Sequence, residues 1–293
     1  MNNIIGNEKT IKLLDRIATV GKIANAYLFL GPVQVGKFSI AMEFARNILV
    51  DERKINADLI VIAPEIDETK GVIKKRDIKI ETIRDLQHKL SLTSTGGRYK
   101  VVIIDEAERL NKSAQNALLK TLEEPNEKVV LILVAQNENK MLPTIASRCQ
   151  KIRFGLVADS EIEKIIPADN HDKQEILFWS IGRPGIAVDL INNHSELDYR
   201  REALRELSDV LSKNLNDTFA LAETLSKDTL QLQKKLKLWL IILRQSMLGN
   251  RQNMQVTPAK ALIMMEGISE SIETMRETNS NVRLILENLF LKF

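Results

Sequence analysis

The chain has 293 residues, of which 44% are hydrophobic and 28% are charged, and its formal net charge is +3. That length predicts two or three domains, and so small a positive charge does not by itself indicate nucleic-acid binding. The single cysteine, Cys149, excludes an intrachain disulfide and a cysteine-rich zinc site. We find no signal peptide and no apolar run of membrane-spanning length, so we expect a cytoplasmic protein.

The first half of the chain begins with a glycine-rich loop, GPVQVGKF at 31–38, between a predicted strand and a predicted helix. It follows the phosphate-loop pattern G-x-x-x-x-G-K-[ST] up to its last position. Gly31 and Gly36 permit the backbone angles that such a loop needs, and Lys37 would reach the outer phosphates of ATP. Phe38 replaces the hydroxyl that ligates magnesium, which leaves the loop poorly equipped for hydrolysis. A glycine turn without a ligand is the alternative.

Further apolar stretches at 59–62, 101–104 and 129–134 predict buried strands that alternate with amphipathic helices. Strands that are apolar on both faces are typical of a parallel sheet covered by helices. After residue 154 no long β-branched run follows, and the pattern is helical. We therefore predict an α/β domain at 1–155, a small helical domain at 156–196 and an all-helical domain at 197–293.

Two acidic residues, Asp105 and Glu106, follow the predicted strand at 101–104. In a phosphate-loop protein, acids at a strand's carboxyl end lie near the magnesium ion and polarise water. The alternative is an acidic strand end that caps the next helix. Arg148 follows the fourth strand; it is either a surface arginine in an ion pair or one that reaches a phosphate on a neighbouring subunit.

Four segments together resemble the bacterial clamp-loader family of AAA+ ATPases: AYLF at 26–29, YKVVIIDEAE at 99–108, NALLKTLEEP at 116–125 and LPTIASRC at 142–149. The resemblance covers nearly the whole chain and is closest to the delta-prime type of subunit. It implies a RecA-like AAA+ domain with a parallel sheet, then a small helical lid and an all-α collar that mediates oligomerisation. These correspond to the three predicted domains.

The resemblance also implies a function within DNA polymerase III. Such a subunit joins gamma/tau and delta subunits in a ring that loads the sliding clamp on primed DNA. Arg148 would act in trans at the ATP site of the adjacent motor subunit, Asn137 matches a position that orients water or phosphate, and Asp105 and Glu106 would be vestigial.

Departures from the family pattern favour a delta-prime-like stator with weak or absent ATPase activity over a gamma/tau-like motor. One is Phe38. Another is Gly185, which stands where motor subunits have the sensor 2 arginine, with Arg183 two positions early. Many relatives insert a four-cysteine zinc module after the phosphate-loop helix, but residues 48–60 contain no cysteine, so we expect no zinc. This third departure does not discriminate between the two subunit types.

Overall fold

The structure is a computed structural model that describes residues 4–49, 58–69, 72–91, 99–124, 128–212, 214–249, 256–277 and 280–293. Pro125, which ends one of the family segments, and most of the stretch at 48–60 lie outside the described residues. The chain divides into two compact units. The first comprises 1–167 and 180–186, and the second comprises 168–179 and 187–293. The three-domain division remains a prediction.

The first unit is built on a five-stranded parallel sheet with the strand order β2-β5-β6-β1-β7. Its strands are β1 (Ala26–Leu30), β2 (Leu59–Ile62), β5 (Lys100–Ile104), β6 (Val129–Ala135) and β7 (Gln150–Arg153). Strands β3 (Ile66–Thr69) and β4 (Val72–Lys75) form a separate antiparallel hairpin. Every residue of β1, β5 and β6 is buried, so the predicted parallel sheet with two covered faces is confirmed.

Helices cover both faces of this sheet. They are α1 (Glu8–Val20), α2 (Lys37–Leu49), α3 (Ile80–Ser91), α4 (Lys112–Glu123) and α5 (Pro143–Ala146), and a short helix, α6 (Asp159–Ile162), follows β7. One apolar core includes Tyr27 and Phe44, whose rings meet edge to face at 5.2 Å. A second core on the opposite face includes Leu86 and Leu118. The alternating strand pattern places side chains in both cores, which agrees with the predicted parallel sheet covered by helices on both faces.

The second unit is all-helical in its described residues. The helices after residue 167 are α7 (Lys173–Ser180), α8 (Pro184–Asn192), α9 (His194–Ser212), α10 (Leu215–Leu225), α11 (Thr229–Met247), α12 (Pro258–Glu277) and α13 (Val282–Leu291). The buried Trp239 donates a hydrogen bond to the carbonyl of Ala203. Lys235 pairs with Glu202 and Glu206, so this buried charge is compensated. None of the described helices is long and apolar enough to cross a membrane.

The parallel sheet decides where functional residues can lie. Its strands share one direction, so the segments after β1, β5 and β6 meet at one edge, and the segments before β1, β6 and β7 meet at the opposite edge. The glycine loop and the acidic residues follow strands, whereas Arg148 precedes one. The fold therefore assigns them to opposite edges.

Candidate functional site

The glycine loop connects β1 to α2, as the motif requires. Gly31 has a φ of 153°, and a Cβ atom there would lie 2.4 Å from the carbonyl oxygen of Phe154. Gly36 has a φ of 89° and Gln34 a φ of 59°, both in the left-handed region. The loop therefore needs glycine at 31 for close backbone approach and at 36 for its turn.

Lys37 is the first residue of α2 and is buried. Its ammonium donates hydrogen bonds to the carbonyls of Gly31, at 2.6 Å, and Pro32. Burial lowers the pKa of Lys37, while the carboxylates of Glu108 and Asp105 act in the opposite direction. The lysine thus bonds to the loop's own carbonyls, and it would have to give up these bonds to reach a phosphate.

The acidic residues after β5 have different surroundings. The Asp105 carboxylate accepts a hydrogen bond from the amide of Glu106, and burial raises the pKa of Asp105. Glu106 forms ion pairs with Lys75, on β4, and with Arg109 at 2.8 Å. Burial acts to raise the pKa of Glu106, but hydrogen bonds from these two cations outweigh it and lower the pKa. Glu106 is therefore a doubly paired carboxylate with a weakened affinity for protons.

Asn137 follows β6 and lies beside the loop. Together with Gly31 it lines a cavity of about 410 Å³, whose other walls include Arg153 and Phe154. The side-chain oxygen of Asn137 accepts a hydrogen bond from the amide of Asn139, where it caps a short 3₁₀ turn at Glu138–Lys140. The fold thus brings Asn137 and Gly31 together, because each follows the carboxyl end of one of two adjacent parallel strands.

Gly185 contacts the loop directly. Its amide donates a 2.9 Å hydrogen bond to the carbonyl of Gln34. A Cβ atom on Gly185 would lie 2.9 Å from the Cβ of Gln34 and 3.0 Å from its carbonyl oxygen. Such distances leave no room for a side chain without movement of the loop. The loop is therefore held against the 180–186 segment by packing that glycine alone allows.

The residues present fit a nucleotide only in part. The loop keeps the glycine geometry and the lysine of a phosphate site, but Phe38 supplies no oxygen ligand for magnesium. In the described part of the chain, no group of three or more His, Cys, Asp or Glu side chains is placed to hold a metal ion. Mg²⁺ at a nucleotide usually keeps several waters and is bound by one or two carboxylates together with the phosphates. Asp105, which acts electrostatically on Lys37, is such a carboxylate, so the site lacks the hydroxyl ligand of the loop but keeps an acidic one.

Arg148 lies just before β7, at the opposite edge of the sheet. The register pairs Tyr27 with Gln150 and Leu30 with Arg153. Gly31 and Arg148 are therefore separated by the length of β1, roughly 15 Å at 3.3 Å per residue. The Arg148 guanidinium forms a 2.9 Å ion pair with Glu123 and donates a 3.0 Å hydrogen bond to the carbonyl of Thr144. It cannot contact its own loop.

The structure adds two residues that sequence reasoning missed. Glu108, rather than Glu106, is the acid with the strongest electrostatic effect on Lys37. Glu108 lies three residues after Asp105, and a 3₁₀ turn at Ala107–Arg109 follows β5. In such a turn, side chains three residues apart lie on the same side, so this spacing could have suggested that Glu108 also faces the loop. Lys75 belongs to a hairpin that the sequence pattern did not reveal, so its pairing with Glu106 had no local signal.

Comparison with known proteins places this site in a family context. A family model described as DNA polymerase III, delta subunit, matches residues 6–157. The tau subunit of DNA polymerase III from Bacillus subtilis is 33% identical over 184 residues, which cover 59% of this chain and 33% of that protein. The delta' subunit from Pseudomonas aeruginosa is 34% identical over 143 residues, covering 43% of this chain and 42% of that protein.

A solved structure agrees with the fold. A gamma subunit-related protein of DNA polymerase III from Thermotoga maritima has a TM-score of 0.53 and 21% identity, covering 96% of this chain and 97% of that one. The chain spans about a third of the length of the tau subunits that it matches in Bacillus subtilis and Escherichia coli.

Proposed function

The chain belongs to the DNA polymerase III delta subunit family, among the clamp-loader AAA+ proteins, and from this premise we propose that it is a clamp-loader subunit of the delta-prime type. In this proposal it acts as a stator. It helps to load the sliding clamp on primed DNA without hydrolysing ATP itself, and it supplies Arg148 to the ATP site of an adjacent motor subunit. Its direct partners are gamma/tau and delta subunits.

The pairing of Glu106 carries this proposal. Hydrolysis at a phosphate loop needs a carboxylate that orients or polarises water. Here the Glu106 carboxylate is paired with Lys75 and Arg109. These two charge-assisted hydrogen bonds lower the pKa of Glu106 and so make it a weaker base towards water. Phe38 adds to the same conclusion, since it cannot hold the magnesium ion that neutralises the phosphates.

Gly185 also favours a stator. The family resemblance places the sensor 2 arginine of motor subunits at this position, where an arginine would contact the phosphates. The 2.9 Å approach of Gln34 to a Cβ atom at 185 excludes any side chain in the present loop conformation. Lys37 and the Gly185 amide therefore donate hydrogen bonds to carbonyls of the loop, so these carbonyls are satisfied within the chain.

Arg148 has the properties that action in trans requires. It is 38% exposed and lies at the edge of the sheet opposite its own loop, so the phosphate that it contacts must belong to another chain. An arginine that reaches a transferring phosphoryl group stabilises the charge that develops in the transition state. In known cases such a residue accelerates hydrolysis by about 10³–10⁵-fold.

A motor of the gamma/tau type is the second candidate, and the identity to tau subunits favours it. A motor would need Ser39, one position after Phe38, or water to complete the magnesium shell. In that case the purified chain would hydrolyse ATP, and Glu106→Gln would abolish the activity.

The test of the stator role is Arg148→Ala in a clamp loader assembled with the motor and delta subunits of the same organism. We expect the variant to fold and assemble normally and the loader to lose most of its clamp-stimulated ATP hydrolysis. Arg16→Ala is the control, because Arg16 is an exposed arginine on α1 that belongs to neither candidate site. Full ATPase activity with Arg148→Ala would refute the role in trans.

A further inference from the structure

The exposed guanidinium of Arg148 is held by contacts from two separate helices. Its Nη2 atom lies 2.9 Å from Oε1 of Glu123, the last residue of α4. Its Nη1 atom donates to the carbonyl of Thr144, in α5, at 3.0 Å. The first contact is an ion pair with a side chain at the end of α4, and the second is a hydrogen bond to a main-chain carbonyl.

These contacts leave part of the guanidinium available. A guanidinium has five N–H donors in a planar fork, and the two contacts use one donor on each terminal nitrogen. The main chain beneath it is also fixed, because the amide of Arg148 donates to the carbonyl of Ile145 and the next side chain, Cys149, is buried. The main chain and the guanidinium of Arg148 are thus both held in place, and the guanidinium can still donate a hydrogen bond to a further oxyanion.

We propose that Glu123 is a positioning residue for Arg148. Its carboxylate holds the guanidinium in the orientation in which it contacts a phosphate of the neighbouring subunit. The proposal rests on the proposed function above. An unpaired arginine samples many rotamers and must lose that freedom when it binds a phosphate. A partner that selects one orientation beforehand removes part of this cost and so raises the rate.

The opposite role is also conceivable, in which Glu123 sequesters the arginine and slows hydrolysis. The exposure of the pair argues against it. Glu123 is 49% exposed and Arg148 38%, so solvent screens their attraction and the pair is weak. A triphosphate carries several negative charges and accepts bidentate bonds from arginine, so it competes successfully with one exposed carboxylate.

The experiment compares Glu123→Ala, Glu123→Gln and Glu124→Ala in the assembled loader, with steady-state ATP hydrolysis measured over a range of ATP concentrations. Glu124 is the matched control, because it is an exposed acid at the same helix end. Arg148→Ala is included in the same assay. We expect Glu123→Ala to lower kcat by about two- to fivefold with an unchanged KM for ATP. Glu123→Gln keeps an oxygen acceptor of the same reach and should retain most of the rate.

The outcomes separate the two proposals. If Arg148→Ala lowers the rate but Glu123→Ala matches Glu124→Ala, the positioning role is refuted and the role in trans stands. If Glu123→Ala raises the rate, Glu123 sequesters the arginine and the positioning role is refuted. If Arg148→Ala has no effect, the proposed function itself fails. Equal assembly of all variants, checked by size-exclusion chromatography, keeps a folding defect from imitating any of these results.

Discussion

Substitution of Gly185 by alanine tests whether the loop is held by direct packing. The added Cβ atom would lie 2.9 Å from the Cβ and 3.0 Å from the carbonyl oxygen of Gln34, so the loop or the 180–186 segment must move. Overpacking of this kind costs about 1–3 kcal/mol. Movement that breaks the hydrogen bond from the Gly185 amide to Gln34 costs about 0.5–1.5 kcal/mol more. We therefore expect a loss of roughly 2–4 kcal/mol in the stability of the first unit.

Both tryptophans, Trp179 and Trp239, belong to the second unit, so fluorescence does not report on the loop. Amide hydrogen exchange in the buried strand β1 is the suitable assay, and the expected loss lowers its protection roughly 30- to 700-fold. Gly155→Ala is the control, because a Cβ there meets nothing within 4 Å. Equal protection of the β1 amides in the two variants would show that packing at Gly185 does not hold the loop in place.

Three further predictions concern buried or partly buried groups. Asp105→Asn should stabilise the first unit at pH 7. Burial raises the pKa of Asp105, so the stability that its protonated form contributes is fully present below pH 3.8 and is lost as the pH rises through the raised pKa. Asparagine is neutral at every pH and avoids this loss. Urea unfolding followed by circular dichroism should show this gain shrinking towards pH 4, and no gain at pH 7 would contradict it. Cys149, whose pKa burial raises to about 12, should resist alkylation at pH 8 until urea is added. Rapid labelling of the folded chain would mean that the thiol is accessible. Lys235→Met should destabilise the second unit by about 3 kcal/mol in fluorescence-detected unfolding, since it leaves the Glu206 carboxylate buried and unpaired; an unchanged midpoint would refute this.

Local patterns were sufficient to predict the centre of the sheet. The segments that became β1, β5 and β6 are apolar apart from Lys100 at the start of β5, and the glycines at 31 and 36 mark the turn into α2. Strand β7 was missed because it is a short edge strand in which Ile152 alone is buried. Its position depends on pairing with β1, which is distant in the chain, so four residues with a single apolar side chain carried no signal.

The site shows the same division between local and distant information. The loop, Lys37 and the acids after β5 could be found from motif and position alone. The partners of Glu106 and Arg148 could not, because Lys75 lies 31 residues from Glu106, and Glu123 ends a helix that is separated from Arg148 by strand β6. Similarly, the resemblance identified Gly185 as a departure from the motor pattern. The close approach of Gln34 supplies the physical reason why that position holds no side chain.

The most direct test of the stator proposal is ATP hydrolysis by the purified chain, measured with and without Mg²⁺ and compared with Glu106→Gln. With Phe38 in place of a magnesium ligand and Glu106 paired with two cations, we predict no Mg²⁺-dependent turnover above that of the Glu106→Gln variant. Robust turnover that requires Mg²⁺ and disappears in Glu106→Gln would contradict the stator and identify the chain as a motor.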